Sequence, residues 1–116
     1  MYPIPKDINL QIFKGLVVNH IGFTANTIVL SFENKGYIQI ESCFTIKQQA
    51  ECEQCEVYPV SCDMGILKLL EKEVLAIYPQ NNNLVVEFED DYSLELINDK
   101  QYESFSIVIE GERTIV

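Results

Sequence analysis

Apolar and polar residues alternate along this chain in short bursts separated by polar turns. The clearest burst covers residues 83–96, NLVVEFEDDYSLEL. Leu84, Val86 and Phe88 alternate with Val85, Glu87 and Glu89, and a period of two over this length predicts a strand with one buried and one wet face. Glu89, Asp90 and Asp91 predict a tight polar turn, after which Leu94 and Leu96 alternate with Ser93 and Glu95 in a returning strand. An earlier stretch, residues 27–40, follows the same plan. Ile28, Leu30 and Phe32 face one way, Val29, Ser31 and Glu33 the other, and Ile38 and Ile40 return. Asn34, Lys35 and Gly36 predict the turn between them, with Gly36 supplying a positive φ.

The two hairpins align at a constant spacing of 56 residues. Val18 matches Val74, Ile21 matches Ile77, Asn26 matches Asn82, Leu30 matches Val86, Phe32 matches Phe88 and Glu33 matches Glu89. The first turn is expected to be one residue longer than the second. Downstream, residues 41–46, ESCFTI, echo residues 103–107, ESFSI. Shared order, spacing and flanking strands together indicate an internal duplication. Two copies with so long a period do not make a solenoid.

The flanking segments complete the plan. Residues 1–6 hold two prolines and read as an extended arm. Residues 63–71, DMGILKLLE, predict a short helix capped by Asp63, with Ile66, Leu67, Leu69 and Leu70 as its apolar stripe. Residues 7–15 predict a similar turn between Asp7 and Gly15. Further strands are expected at residues 16–23, 43–47, 73–78, 102–110 and 113–116. The Asn81–Asn82 region suits a turn that visits the left-handed region. The expectation is mainly β: about nine strands and one or two short helices. Two tandem antiparallel meanders would form a sandwich or a half-open barrel. A single domain spans residues 1–116, with copies at about 7–47 and 63–110. Residues 48–62, QQAECEQCEVYPVSC, form an inserted loop with no counterpart in the second copy.

Composition makes this plan affordable. The chain has 116 residues and 47% hydrophobic content, enough for one core without covalent staples. No apolar run reaches the ~20 residues of a membrane span. The N-terminal residues lack a signal-peptide pattern, so a cytoplasmic protein is expected. Eight Lys and Arg against eighteen Asp and Glu leave a formal charge of −10. That balance disfavours nucleic acid and anionic membranes as direct ligands and suits a basic protein partner. It also serves simple solubility.

Cys52 and Cys55 form a CxxC, with Cys43 before it and Cys62 after it. Four thiolates can close a zinc shell, but zinc ribbons offer two CxxC pairs, and the flanking Glu51, Glu53 and Glu56 disfavour thiolates. A thioredoxin-type motif would need a helix start in a βαβ unit. Free thiols in a reducing cytosol are therefore the expectation, with no metal and no cofactor. His20, the single histidine, has no nucleophile context beside it. Glu87, Glu89 and Glu95 should share the outward face of the central hairpin, with Asp90 and Asp91 at its tip. As an acid–base pair they would need a closed cleft, and as calcium ligands a looped spacing. A solvated face or a docking surface for a basic protein remain. Tyr37, Tyr58, Tyr78, Tyr92 and Tyr102 sit at expected strand ends and turns, where they either close a core rim or anchor an interface.

One further pattern is Phe13-x-Gly15-x-x-Val18-x-x-Ile21, then Ile28-x-Leu30-x-Phe32, then Gly36-x-Ile38-x-Ile40-Glu41-Ser42, with a late Tyr102-Glu103-Ser104-Phe105-x-Ile107. It resembles small bacterial proteins with duplicated G-x-x-V…L-x-F-x-x-G-x-L meanders, among them immunity proteins encoded beside secreted polymorphic or contact-dependent toxins. In the second copy Glu71 and Asp91 stand where that pattern has glycine. The resemblance implies an immunity protein for a cognate toxin; with the acidic hairpin face it leads to a non-enzymatic protein that covers the active site of a basic nuclease, with Glu87, Glu89, Asp90, Asp91 and Glu95 as contact residues and residues 48–62 as a second surface. It implies no catalytic residues. Alternatives are a small-ligand or zinc-binding regulator built on the cysteine loop, or a structural subunit that assembles through an edge strand.

Overall fold

The computed structural model describes residues 10–24, 27–33, 35–41, 43–48, 51–55, 65–98, 105–109 and 112–115. The proline arm, the Asp7 and Asp63 caps, Asn26, Tyr58, Cys62 and Tyr102 lie outside the described residues. Ten strands are described: β1 Val18–Phe23, β2 Ile28–Phe32, β3 Gly36–Ile40, β4 Phe44–Gln48, β5 Glu51–Cys55, β6 Val74–Gln80, β7 Asn83–Phe88, β8 Tyr92–Leu96, β9 Phe105–Ile109 and β10 Glu112–Ile115. Three short 3-10 helices join them: η1 Leu10–Phe13, η2 Gly65–Leu69 and η3 Glu89–Asp91.

The chain is mainly β, and its strands form two antiparallel five-stranded sheets. Their orders are β1-β2-β3-β9-β10 and β5-β4-β8-β7-β6. They make a sandwich rather than a closed barrel. Each copy builds three strands of one sheet, then sends its last hairpin across to complete the other. Thus β3 pairs with β9 and β8 pairs with β4. Alternation supplies the core. Leu30, Phe32, Ile38, Ile40, Phe44, Leu84, Val86, Leu94, Leu96, Phe105 and Ile107 are all fully buried between the sheets.

The 56-residue spacing reappears in the pairing. β1 carries a bulge at Asn19, between the Val18–Phe32 and His20–Ser31 pairs. β6 carries one at Leu75, between Val74–Phe88 and Ala76–Glu87. The copies meet where Val17 bridges Glu73. There the Gly15 amide donates to the Val74 carbonyl at 2.8 Å and the Glu71 amide to the Val18 carbonyl at 2.7 Å, a reciprocal pair.

Several expectations are corrected. The spacing runs through the turn unchanged, because β3 begins at Gly36 and β8 at Tyr92. The first turn is therefore not longer, and Tyr92 rather than Asp91 occupies the place of Gly36. Gly36 is not a positive-φ glycine; Glu33 takes that conformation, at φ 53°. Gly36 is small for another reason. A Cβ there would lie 2.6 Å from the Val108 carbonyl oxygen and 3.0 Å from the Phe13 ring. Residues 51–55, expected as inserted loop, form β5, paired with β4 from Phe44–Cys55 to Gln48–Glu51. Its counterpart in the second copy is β10, 61 residues later, because β4 starts soon after β3 ends at Ile40 whereas β9 starts only at Phe105 after β8 ends at Leu96. Where the helix expected near residues 63–71 is described, it is the 3-10 helix Gly65–Leu69. Its three-residue period buries Ile66 and Leu69 and leaves Leu67 and Leu70 in solvent. Asn81 and Asn82 form the two-residue β6–β7 turn, both at positive φ, as their αL tolerance predicts. Among the described residues, no helix is long and apolar enough to cross a membrane.

Candidate functional site

The five carboxylates singled out by the sequence lie on the second copy but do not converge. Register places Glu87 and Glu95 on the outward face of the β5-β4-β8-β7-β6 sheet. Glu87 pairs with Ser93, and Glu95 with Val85 on β7 and Thr45 on β4. They are diagonal neighbours, within reach of a shared partner. The Tyr78 hydroxyl donates to Glu87 Oε2 at 2.8 Å, and Asn83 Nδ2 donates to Glu95 Oε2 at 3.0 Å. Donation to Glu87 raises the Tyr78 pKa above the usual phenol value.

Glu89 turns away from that face. Its Oε1 accepts the Glu73 amide at 3.1 Å, and in the first copy Glu33 Oε2 accepts the Val17 amide at 2.7 Å. This is one structural device used twice, since each carboxylate satisfies an amide at the seam between copies. Glu89 therefore belongs to the scaffold. Asp90 is ion-paired with Lys72 at 2.6 Å, and the Lys72 ammonium lies 5.7 Å from the Tyr92 ring centre. The hydrogen bond to Asp90 holds Lys72 above its ordinary pKa. Asp90 and Asp91 both take positive φ and stay exposed at the tip.

The two copies offer the same face with different chemistry. In the second, Glu87 and Glu95 occupy the positions that Ser31 and Gln39 hold in the first, and Asp91 stands in the place of Lys35. Asp90 aligns with Asn34, which lies outside the described residues. The first copy folds without these four carboxylates, so the scaffold does not require them.

No family model, curated protein or solved structure matches this chain. His20 stands exposed on β1, opposite Ser31. Cys43 is half-buried and Cys52 exposed. The CxxC lies on β5, where the odd spacing puts positions 52 and 55 on alternate faces; 52 pairs with Lys47 and 55 with Phe44. Among the described residues, no three His, Cys, Asp or Glu side chains cluster as metal ligands.

Sequence reasoning passed over Lys72 and Leu75 and treated Tyr78 as one tyrosine among several. The signal was present in the repeat alignment, where Leu16, Asn19 and Gly22 are their counterparts.

Proposed function

We propose that this chain is a non-enzymatic protein-binding protein, most concretely an immunity protein that neutralises a basic toxin domain by covering its active site. The carrying observation is the difference between equivalent faces. Glu87, Asp90, Asp91 and Glu95 stand in the second copy where the first has Ser31, Asn34, Lys35 and Gln39. On a nuclease, such carboxylates would occupy the positions of substrate phosphates. The formal charge of −10 would steer the encounter. The resemblance of the repeat to immunity proteins supports the same reading. The departure at Glu71 leaves the local geometry intact, since Glu71 adopts φ 68° where Gly15 adopts φ 87°.

The test is binding to the product of the gene adjacent to the one encoding this chain. A tight, salt-sensitive complex is expected. Reversing Glu87, Asp90, Asp91 and Glu95 to lysine should weaken it by roughly a hundredfold or more, mainly through slower association. Glu89→Gln should change affinity little. A complex untouched by the fourfold reversal would reject this face, and no complex at all would reject the toxin reading.

A further inference from the structure

Among the described residues, the exposed large apolar or aromatic side chains are Phe23, Leu67, Leu70, Leu75 and Tyr78. Four of these five belong to the second copy, the copy that carries the extra carboxylates. Their counterparts, 56 residues earlier, are Gln11, Lys14, Asn19 and Gly22. None is apolar, so the fold places no apolar demand on these sites.

Two counterparts hold structural duties that the leucines cannot perform. Gln11 Nε2 donates to the Ile77 carbonyl at 3.2 Å. Asn19 Oδ1 accepts the Glu33 amide at 3.0 Å across the bulge. With Leu75 in the matching bulge, the Glu89 amide turns to the Glu73 backbone carbonyl at 3.1 Å instead. The second copy thus satisfies its turn through the main chain, and Leu75 stands 49% exposed. Leu67 on η2 and Leu70, just past its end, stand 41% and 43% exposed.

Leu75 and Tyr78 border the acidic face. Leu75 is the bulge residue beside the Ala76–Glu87 pair, and Tyr78 bonds Glu87 directly. Lys72, between Leu70 and Leu75 in sequence, is clamped to Asp90. Apolar anchors flanked by charge are the anatomy of a binding hot spot with its rim.

We infer that Leu70, Leu75 and Tyr78 form the apolar contact strip of the proposed docking surface, and that its occupant is a protein segment presenting apolar side chains flanked by lysine or arginine. The inference rests on the proposed function only for the identity of the partner. Charge complementarity selects this occupant. A second copy would bring carboxylates against carboxylates, and an anionic membrane would be repelled.

The probes are an amphipathic Leu/Lys helical peptide and a Leu/Glu peptide of the same length and apolar content. Amide shift mapping should show the Leu/Lys peptide perturbing residues 74–78 and 83–95 while sparing the equivalent residues 18–22 and 29–39. The Leu/Glu peptide should not bind. Leu70→Ser and Leu75→Ser should each weaken the Leu/Lys peptide about tenfold, largely through faster dissociation. Phe23→Ser should not. Because the leucines are exposed, both variants should keep their thermal midpoints within about 2 °C. Equal mapping on the two copies, or serine variants that bind unchanged, would overturn the inference. So would a concentration-dependent dimer, or binding to phosphatidylcholine vesicles, that Leu70→Ser and Leu75→Ser abolish. The two readings fail separately. If the adjacent gene product does not bind but the peptide maps to this strip, the toxin reading falls alone. If that product binds and the serine variants leave its affinity unchanged, the strip falls alone.

Discussion

Gly15 and Glu71 hold one backbone position in two copies, and they show how a repeat tolerates divergence. Both take positive φ, at 87° and 68°, and both donate their amide across the seam to the strand of the other copy. Glycine adopts this region freely, whereas a residue with a Cβ is strained there by roughly 1–2 kcal/mol. Glu71 is held in place by its 2.7 Å bond to the Val18 carbonyl. Glu71→Gly should therefore stabilise the protein by about 0.5–1 kcal/mol after the extra freedom of the unfolded glycine is subtracted. Gly15→Ala should cost about 1–2 kcal/mol, although its Cβ would meet no atom within 4 Å. Thermal melts should show midpoints moving in opposite directions, by about 4 °C per kcal/mol. Equal and small effects would mean that the seam does not fix these angles.

Hairpin exchange makes each sheet depend on both copies. Phe44 enters the second copy's sheet and Phe105 the first copy's, and both are fully buried. Removing either ring by Phe→Ala should cost about 3–5 kcal/mol. Unfolding in urea should remain one transition, with backbone and tyrosine signals coinciding, because neither sheet is complete without the other copy's hairpin. Two resolved transitions would show that the copies fold independently. Much of this level was legible from the sequence: β2, β3, β7 and β8 follow their apolar alternation, and the Asn81–Asn82 turn follows its composition. The exchange was not legible, because β4 and β9 have the same alternating pattern whichever sheet they join. β5 was missed because ECEQC lacks an apolar face, and an edge strand can be held by backbone pairing to β4 alone. Burial of Val85 on the outward face was missed too. Val85 sits between its register partners Tyr78 and Glu95, which only the strand pairing brings together. The acidic residues were visible as a group, but their division into scaffold and free surface appeared only when Glu89 was seen to repeat the bond made by Glu33.

At the scale of the whole molecule, most carboxylate bonds seen among the described residues leave the negative charge in place. Glu33, Glu87, Glu89 and Glu95 accept hydrogen bonds from amides, a phenol and an asparagine, all of them neutral donors that leave the carboxylate charge in place. The Lys72–Asp90 bridge offsets one carboxylate, at partly exposed positions where solvent screens the pair. The field of a −10 chain therefore acts over a body measuring 32 × 32 × 26 Å. At about 0.01 M salt the screening length is roughly 30 Å, so every part of the molecule repels every other; at about 0.15 M it is roughly 8 Å and the repulsion is local. Two opposite responses to added salt follow. The folded state should gain stability as self-repulsion is screened, raising the thermal midpoint by about 2–5 °C. Association with the Leu/Lys peptide should slow by roughly tenfold or more over the same range, while its dissociation, governed by Leu70, Leu75 and Tyr78, should change little. Calorimetric melts and stopped-flow binding at the two salt levels measure both. A midpoint that stayed fixed while binding slowed would place the effective charge on the docking face alone. A midpoint that fell would mean that attractive pairs outweigh repulsion, contrary to the bonding pattern of these carboxylates.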